Sequence, residues 1–249
     1  MAPAPHPNLL RSALISILPA GLVTGVVGAL LTYGFGLDAA YLHKSLAVFV
    51  AGAALVLVGL SKHHPFAKFG AANQVTVTRG ALVALLAGLI GERTAVGLPT
   101  LVTVVAVTVA VLDGIDGWMA RRNHMVSDFG ARFDMETDAL FIMVLATLAW
   151  QYERCGAWVL LSGLLRYVFV GAGMVVAWLR RPLPPSRRRK VIAVVQVVAL
   201  ILTLAPFVPA AIAPAVAALG LCALTLSFVV DVMWLLQHAA RTRATVSPQ

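Results

Sequence analysis

Cysteine and acid are what this chain has least of. Its two cysteines, Cys155 and Cys222, stand in different segments at no metal-ligand spacing, which excludes a zinc site and a disulfide framework and leaves them as small apolar fillers. Charge is scarce as well. Only 12% of the 249 residues are charged while 60% are hydrophobic, and a mean hydropathy of +0.91 is too high for a water-soluble domain of this length. No basic stripe interleaved with aromatics is present, so the formal charge of +9 reads as loops facing anionic lipid and not as nucleic-acid binding. Internal repeats, low-complexity tracts and a soluble domain are lacking too. The class that is left is an all-α, polytopic membrane helix bundle.

Apolar runs predict eight spans, at about 12–35, 41–60, 73–91, 98–120, 130–150, 157–179, a seventh reaching 207, and 213–236. The first follows Arg11 but is too long for a signal peptide, and no small-x-small cleavage site comes after it. Residues 1–8, with three prolines, read as a disordered tail. In 61–73, Lys62 and Lys68 alternate with Phe66 and Phe69, as expected of a segment lying in the membrane interface, and His63 and His64 read as wetted loop histidines. His43 and Lys44 are placed to snorkel at the outer surface. The stretch 180–190 holds six cations and anchors the inner surface on anionic lipid. With both termini inside, the inner segments carry most Lys and Arg residues, and the outer loops only Lys44, Arg93 and Arg154. That bias puts the acidic segment described next on the cytoplasmic side.

Six of the ten acids fall between Asp113 and Asp138: these two with Asp116, Asp128, Asp134 and Glu136. At 3.6 residues per turn, Asp113, Asp116, Gly117, Ala120 and Arg121 share one helix face. Gly130, Asp134 and Asp138 line up the same way on the next helix. A short turn between the two helices sets these faces together. Four unpaired aspartates deep in a bilayer would cost roughly 10 to 14 kcal/mol, so the cluster calls for cations. An all-carboxylate set without His or Cys suits hard ions such as Mg2+ or Mn2+, and paired ions of that kind clamp phosphoryl groups. Gly117 and Ala120 leave room for a bulky ligand, and Arg121 offers a bidentate donor for phosphate oxygens.

The pattern Asp113-x2-Asp116-Gly117-x2-Ala120-Arg121-x8-Gly130-x3-Asp134-x3-Asp138 resembles the signature of the CDP-alcohol phosphatidyltransferases, with every fixed position filled. The resemblance covers about 73–237. It implies a six-helix catalytic core there, with 1–72 as a tail, a two-helix membrane extension and an interfacial segment, and 238–249 as a basic polar tail. It further implies that two Mg2+ or Mn2+ ions are held by Asp113, Asp116, Asp134 and Asp138, with Asp138 also taking the proton of the attacking alcohol. Arg121 and the ions would hold the diphosphate of a CDP-alcohol, normally CDP-diacylglycerol, with Gly117 and Ser127 near the nucleotide. Asn73, Thr76 and Arg79, at a spacing the family uses to open its core, would help bind the CDP moiety; from the residues alone they also read as a capped helix with a snorkelling arginine. The expected reaction moves a phosphatidyl group to a small alcohol with release of CMP. Homodimers are common in such a family.

For the acceptor, glycerol 3-phosphate is the first expectation, giving phosphatidylglycerophosphate, with Arg166, Arg189 and Lys190 as candidate acceptor-binding cations. Inositol phosphate, serine, choline or another alcohol use the same chemistry. Arg166 lies over two turns inside its span, and reads either as a functional cation or as a structural partner of Asp231. Lys190, Ala193 and Gln196 resemble a Lys-x2-Thr-x2-Gln pattern of glycerol-phosphate members, with Ala193 in place of the threonine. A reading of another class, an ion or proton-coupled transporter, predicts carboxylates spread along a route through several helices. The expected setting is a bacterial inner membrane with the active site facing the cytoplasm.

Overall fold

The computed structural model describes residues 7–63, 66, 68–122, 127–181, 183–184 and 186–246, without the side chains of 7, 61–63, 120, 121 and 239–246. The expectations for the proline-rich tail and for His63 and His64 fall outside what is described. Eight α-helices account for most of the described chain, and none of it is strand. They are α1 (Pro7–Phe35), α2 (Ala39–His63), α3 (Ala71–Gly88), α4 (Leu98–Arg122), α5 (Asp128–Gln151), α6 (Leu161–Val175), α7 (Arg187–Leu204) and α8 (Ala213–Val246), with short 3-10 turns at Ala157–Leu160 and Ala177–Arg180. Among the described residues, five segments are long and apolar enough to cross a membrane: Asn8–Phe35, Ala39–Leu60, Leu98–Met119, Ala157–Val175 and Ala213–His238. The chain is an integral membrane protein by this measure.

α3 is the hub. It packs against α1, α2, α4 and α5, and eleven of its eighteen residues are buried. Its sequence explains that position: Arg79 is its one charged residue, and the apolar run 81–87 leaves no polar face to present to water. Gly88 lets α2 come close, because a Cβ there would lie 2.0 Å from Ser45 Oγ and 2.9 Å from the Tyr41 ring. A large apolar core joins α3, α4, α5 and α7 through Leu86, Val102, Phe141, Leu145 and Leu200, and a second joins α1, α2 and α3 through Ile17, Phe49 and Val77.

Polar ties close the end of α3 beyond Gly88. Lys44 donates to Glu92 Oε1 (2.6 Å) and to the Ile90 carbonyl (2.7 Å), and Glu92 Oε2 accepts from the Asp38 amide (3.0 Å). From α5, Gln151 donates to the carbonyls of Leu89 and Glu92 and accepts from the Gly91 amide. Lys44, expected to snorkel at the outer surface, is part-exposed and also ties α2 to the buried Glu92.

Two further differences have local causes. Phe69, expected at the membrane interface, is fully buried and packs its ring against Phe129 at 6.4 Å, because α3 starts at Ala71 and draws the preceding turn into the core. The sixth run is also not one helix. α6 ends at Val175, and Arg180 folds back to donate to the carbonyls of Gly173 and Met174, satisfying the free end of the helix. Cys155 is buried and Cys222 exposed, and both are free thiols.

The close fit at Gly88 makes a stability prediction. Gly88→Ala forces the Ser45 and Tyr41 side chains aside and costs about 1–3 kcal/mol. Gly34→Ala, in α1 with nothing within 4 Å of the new Cβ, is neutral or stabilising by about 0.5–1 kcal/mol. Thermal unfolding of the two variants in detergent checks this.

Candidate active site

The acidic faces meet as the spacing predicts, and a helix not credited with charge neutralisation completes them. Asp113 and Asp116 come from the last turns of α4, and Asp134 and Asp138 from the second and third turns of α5. The start of α5 is set by Ser127, whose side chain caps the helix by accepting from the Gly130 amide at 3.0 Å. Gly130 is required there, since a Cβ would meet Asn73 Oδ1 at 3.0 Å and Ser127 Oγ at 3.2 Å. Asn73 in turn donates to the Phe69 carbonyl at 2.5 Å, which fixes its side chain at the start of α3.

Arg79 lies at the centre. Its Nη1 donates to Asp116 Oδ2 at 2.7 Å and to Asp134 Oδ1 at 2.5 Å; its Nη2 lies 2.8 Å from Asp113 Oδ1 and also pairs with Asp138 Oδ1. Thr76 Oγ1 adds a contact to Asp116 Oδ2 at 3.1 Å. Exposure grades across the cluster. The side chains of Arg79 and Asp116 are 1% and 4% exposed, while those of Asp113, Asp134 and Asp138 are 37–40% exposed. Arg79 and Asp116 thus form a floor, and the other three carboxylates face an open side.

One guanidinium cannot balance four carboxylates. The remaining negative charge, carried by oxygen ligands alone, fits hard divalent cations. Carboxylate oxygens of Asp113, Asp116 and Asp134 lie within 4.8 Å of one another, a spacing one ion can bridge. Asp138 is the neighbour of this trio through the shared Arg79.

The other expected site residues distribute unevenly. Gly117 is half-buried, one residue after Asp116 in α4; Ala120 and Arg121 end that helix, and their side chains lie outside the described residues. Arg166 pairs with Glu136, not with Asp231. Glu136 is two residues from both Asp134 and Asp138, so it leaves α5 on the opposite face, and the structure does not bring Arg166 to the acids. Asp231 is taken by Arg188 at 2.5 Å and Arg189 at 3.4 Å, because α7 and α8 pack side by side, and Arg188 also donates to Ser227. Arg189 donates further to the Pro184 carbonyl, and Lys190 is exposed at the start of α7. Sequence reasoning missed the ion pairs of Arg79. The available signal was its isolation as the single charge of α3, on the face of Asn73 and Thr76.

Carboxylates gathered at one point between α3, α4 and α5 do not form a route across the bundle, so nothing here supports the transport reading. Removing the central cation leaves Asp116 buried and unpaired. Arg79→Met is expected to lower stability by about 3–5 kcal/mol, against at most about 1 kcal/mol for Arg122→Met, whose guanidinium stacks on exposed Trp118 at 4.9 Å. Equal unfolding midpoints for the two variants would contradict the central role of Arg79.

No curated protein and no solved structure matched the chain. The family model for CDP-alcohol phosphatidyltransferase matches residues 69–241, more than half of the chain and nearly everything from α3 to α8. With its acidic signature assembled between α4 and α5, the chain belongs to the CDP-alcohol phosphatidyltransferase family, enzymes of phospholipid synthesis that transfer a phosphatidyl group from a CDP-alcohol to an alcohol acceptor.

Proposed function

We propose that the chain transfers the phosphatidyl group of CDP-diacylglycerol to glycerol 3-phosphate, forming phosphatidylglycerophosphate and releasing CMP. The observation that carries this reading is the convergence of Asp113, Asp116 and Asp134 within bridging distance, with Asp138 beside them. These four residues would hold two divalent cations, Mg2+ or Mn2+. When bound, such ions supply charge neutralisation for the diphosphate and for CMP as it leaves.

The chain's own residues divide the remaining work. Arg79 orients one oxygen of each carboxylate from below, which leaves the second oxygen of the part-exposed Asp113, Asp134 and Asp138 available, and its link to the CDP moiety runs through those carboxylates. Asn73 and Thr76 hold α3 in that register; Gly117, Ala120 and Ser127 border the nucleotide, and Arg121 grips the diphosphate. Asp138, with its half-exposed carboxylate, takes the proton of the acceptor hydroxyl. The acceptor oxygen then bonds to the lipid-side phosphorus as the bond to CMP breaks. The cations of 187–190 would neutralise the acceptor's phosphate, with Lys190 exposed and Arg189 tethered to Asp231.

In the same reading all eight helices cross a bacterial inner membrane, both termini and the acids face the cytoplasm, 73–237 is the catalytic core, and the protein works as a homodimer. The span of the family match and the concentration of inner-side cations support this arrangement.

Purified protein in detergent, given CDP-diacylglycerol, Mn2+ or Mg2+ and a panel of alcohols, is expected to release CMP with glycerol 3-phosphate. Release with serine, inositol phosphate or choline alone would reassign the acceptor. Chelation of divalent ions is expected to abolish release, and restoring them to recover it. Asp138→Asn keeps CDP-diacylglycerol binding and loses about 10²–10⁴ in turnover, whereas Asp113→Asn loses both; equal loss of binding in the two variants would refute their separate roles.

A further inference from the structure

On the far side of α3 and α5 from the acids runs a cavity of about 570 Å³, within the usual size of ligand pockets. Its α5 wall includes Glu136 and Leu140, and its α3 wall Val77 and Gly80; neither Arg79 nor any of its four carboxylate partners lines it. Its other wall is α2, from Gly59 to Val48, with Ile17 of α1 behind. These α1 and α2 residues lie outside the 69–241 family match, so the cavity exists through what this chain adds to the family core.

Three features define an occupant. The α2 wall extends about 16 Å by helix rise, roughly half of a ~30 Å hydrocarbon core and so the depth of one leaflet. The lining is almost wholly apolar, and open space stands over Gly52 and Gly80, where an added Cβ meets nothing within 4 Å. Polar groups gather at the α5 end. Arg132, in the first turns of α5, is exposed and has no hydrogen-bond or ion-pair partner among the described residues. The nearby carboxylate, Glu136, is matched by Arg166, so the mouth keeps one net positive charge, with the Tyr167 side chain beside it. Unmatched positive charge above an apolar slot of leaflet depth complements one kind of molecule.

The geometry points to a binding site for an anionic phospholipid of the surrounding leaflet, separate from the lipid donor's site, with one acyl chain along α2 and its phosphate on Arg132. A phosphate oxygen accepts from the Arg132 guanidinium, and the chain fills the space over Gly52. Because the acids and the cavity share no lining residue, this lipid and the donor bind together.

Native mass spectrometry of the full-length protein in detergent, with added phosphatidylglycerol or phosphatidylcholine of the same acyl chains, tests this. A one-to-one phosphatidylglycerol adduct is expected, favoured over phosphatidylcholine by roughly fivefold, the worth of one Lys or Arg at an anionic surface. Arg132→Gln, at an exposed and unpaired position, removes the preference while the fold is kept. Gly52→Phe fills the slot and removes both adducts, and Lys68→Gln, an exposed cation away from the cavity, behaves as wild type. Saturating CDP-diacylglycerol with Mn2+ leaves the adduct in place, and Asp113→Asn retains it, which separates this site from the transferase reading. Absence of an adduct, equal retention of the two lipids, an unchanged preference in Arg132→Gln, or displacement by CDP-diacylglycerol would each overturn the proposal.

Discussion

The structure depends on a single guanidinium placed where three helices cross. Arg79 reaches carboxylates from both α4 and α5 while α3 carries it into the interior, so the relative position of these helices is fixed by charge as well as by packing. Such a contact is demanding. A buried charge is tolerated only when it is matched by an opposite one, so each of Arg79, paired through Nη1 and Nη2, and Asp116 requires the other. Apolar side chains could hold three helices together more cheaply. What the ion cluster adds is a set of carboxylates held at a defined spacing before any ligand arrives.

Chemistry follows from the imbalance. With one positive charge among four negative ones, the cluster is stable enough to form and still short of cations. The shortage is graded: Asp116 is closed off with Arg79, whereas Asp113, Asp134 and Asp138 keep part of their surface open. A site built in this way fits ions that bring phosphate oxygens with them, which is what a CDP-alcohol offers. The supporting contacts serve the same geometry. Ser127 starts α5, Gly130 lets Asn73 approach, and Thr76 braces Asp116.

A second polar assembly, where Lys44, Glu92 and Gln151 tie α2, α3 and α5, closes the far end of α3. Between the two assemblies lies the apolar core of α3, α4, α5 and α7. In a bilayer, where lipid tails compete equally for apolar surface, hydrogen-bonded ties at the ends of helices restrain rotation and register in a way that apolar contact does not. The α1–α2 hairpin is held to the core by the end tie and by the close approach at Gly88, and the cavity between α2 and α5 is the space this attachment leaves open.

The sequence by itself determined the helical membrane class, the apolar segments and the acidic signature, because hydrophobic runs and residues at i, i+3 and i+4 act within one helix, where spacing alone sets the face. Asp113 with Asp116, and Asp134 with Asp138, were legible for that reason. Which cation meets them was not. Arg79 lies more than thirty residues away from Asp113, and its partners are set by how α3 crosses α4 and α5. The same holds for Arg166, which finds Glu136, and for Asp231, which finds Arg188 and Arg189. Long side chains pair with whatever charge the packing of helices brings within reach, and only the tertiary structure decides that.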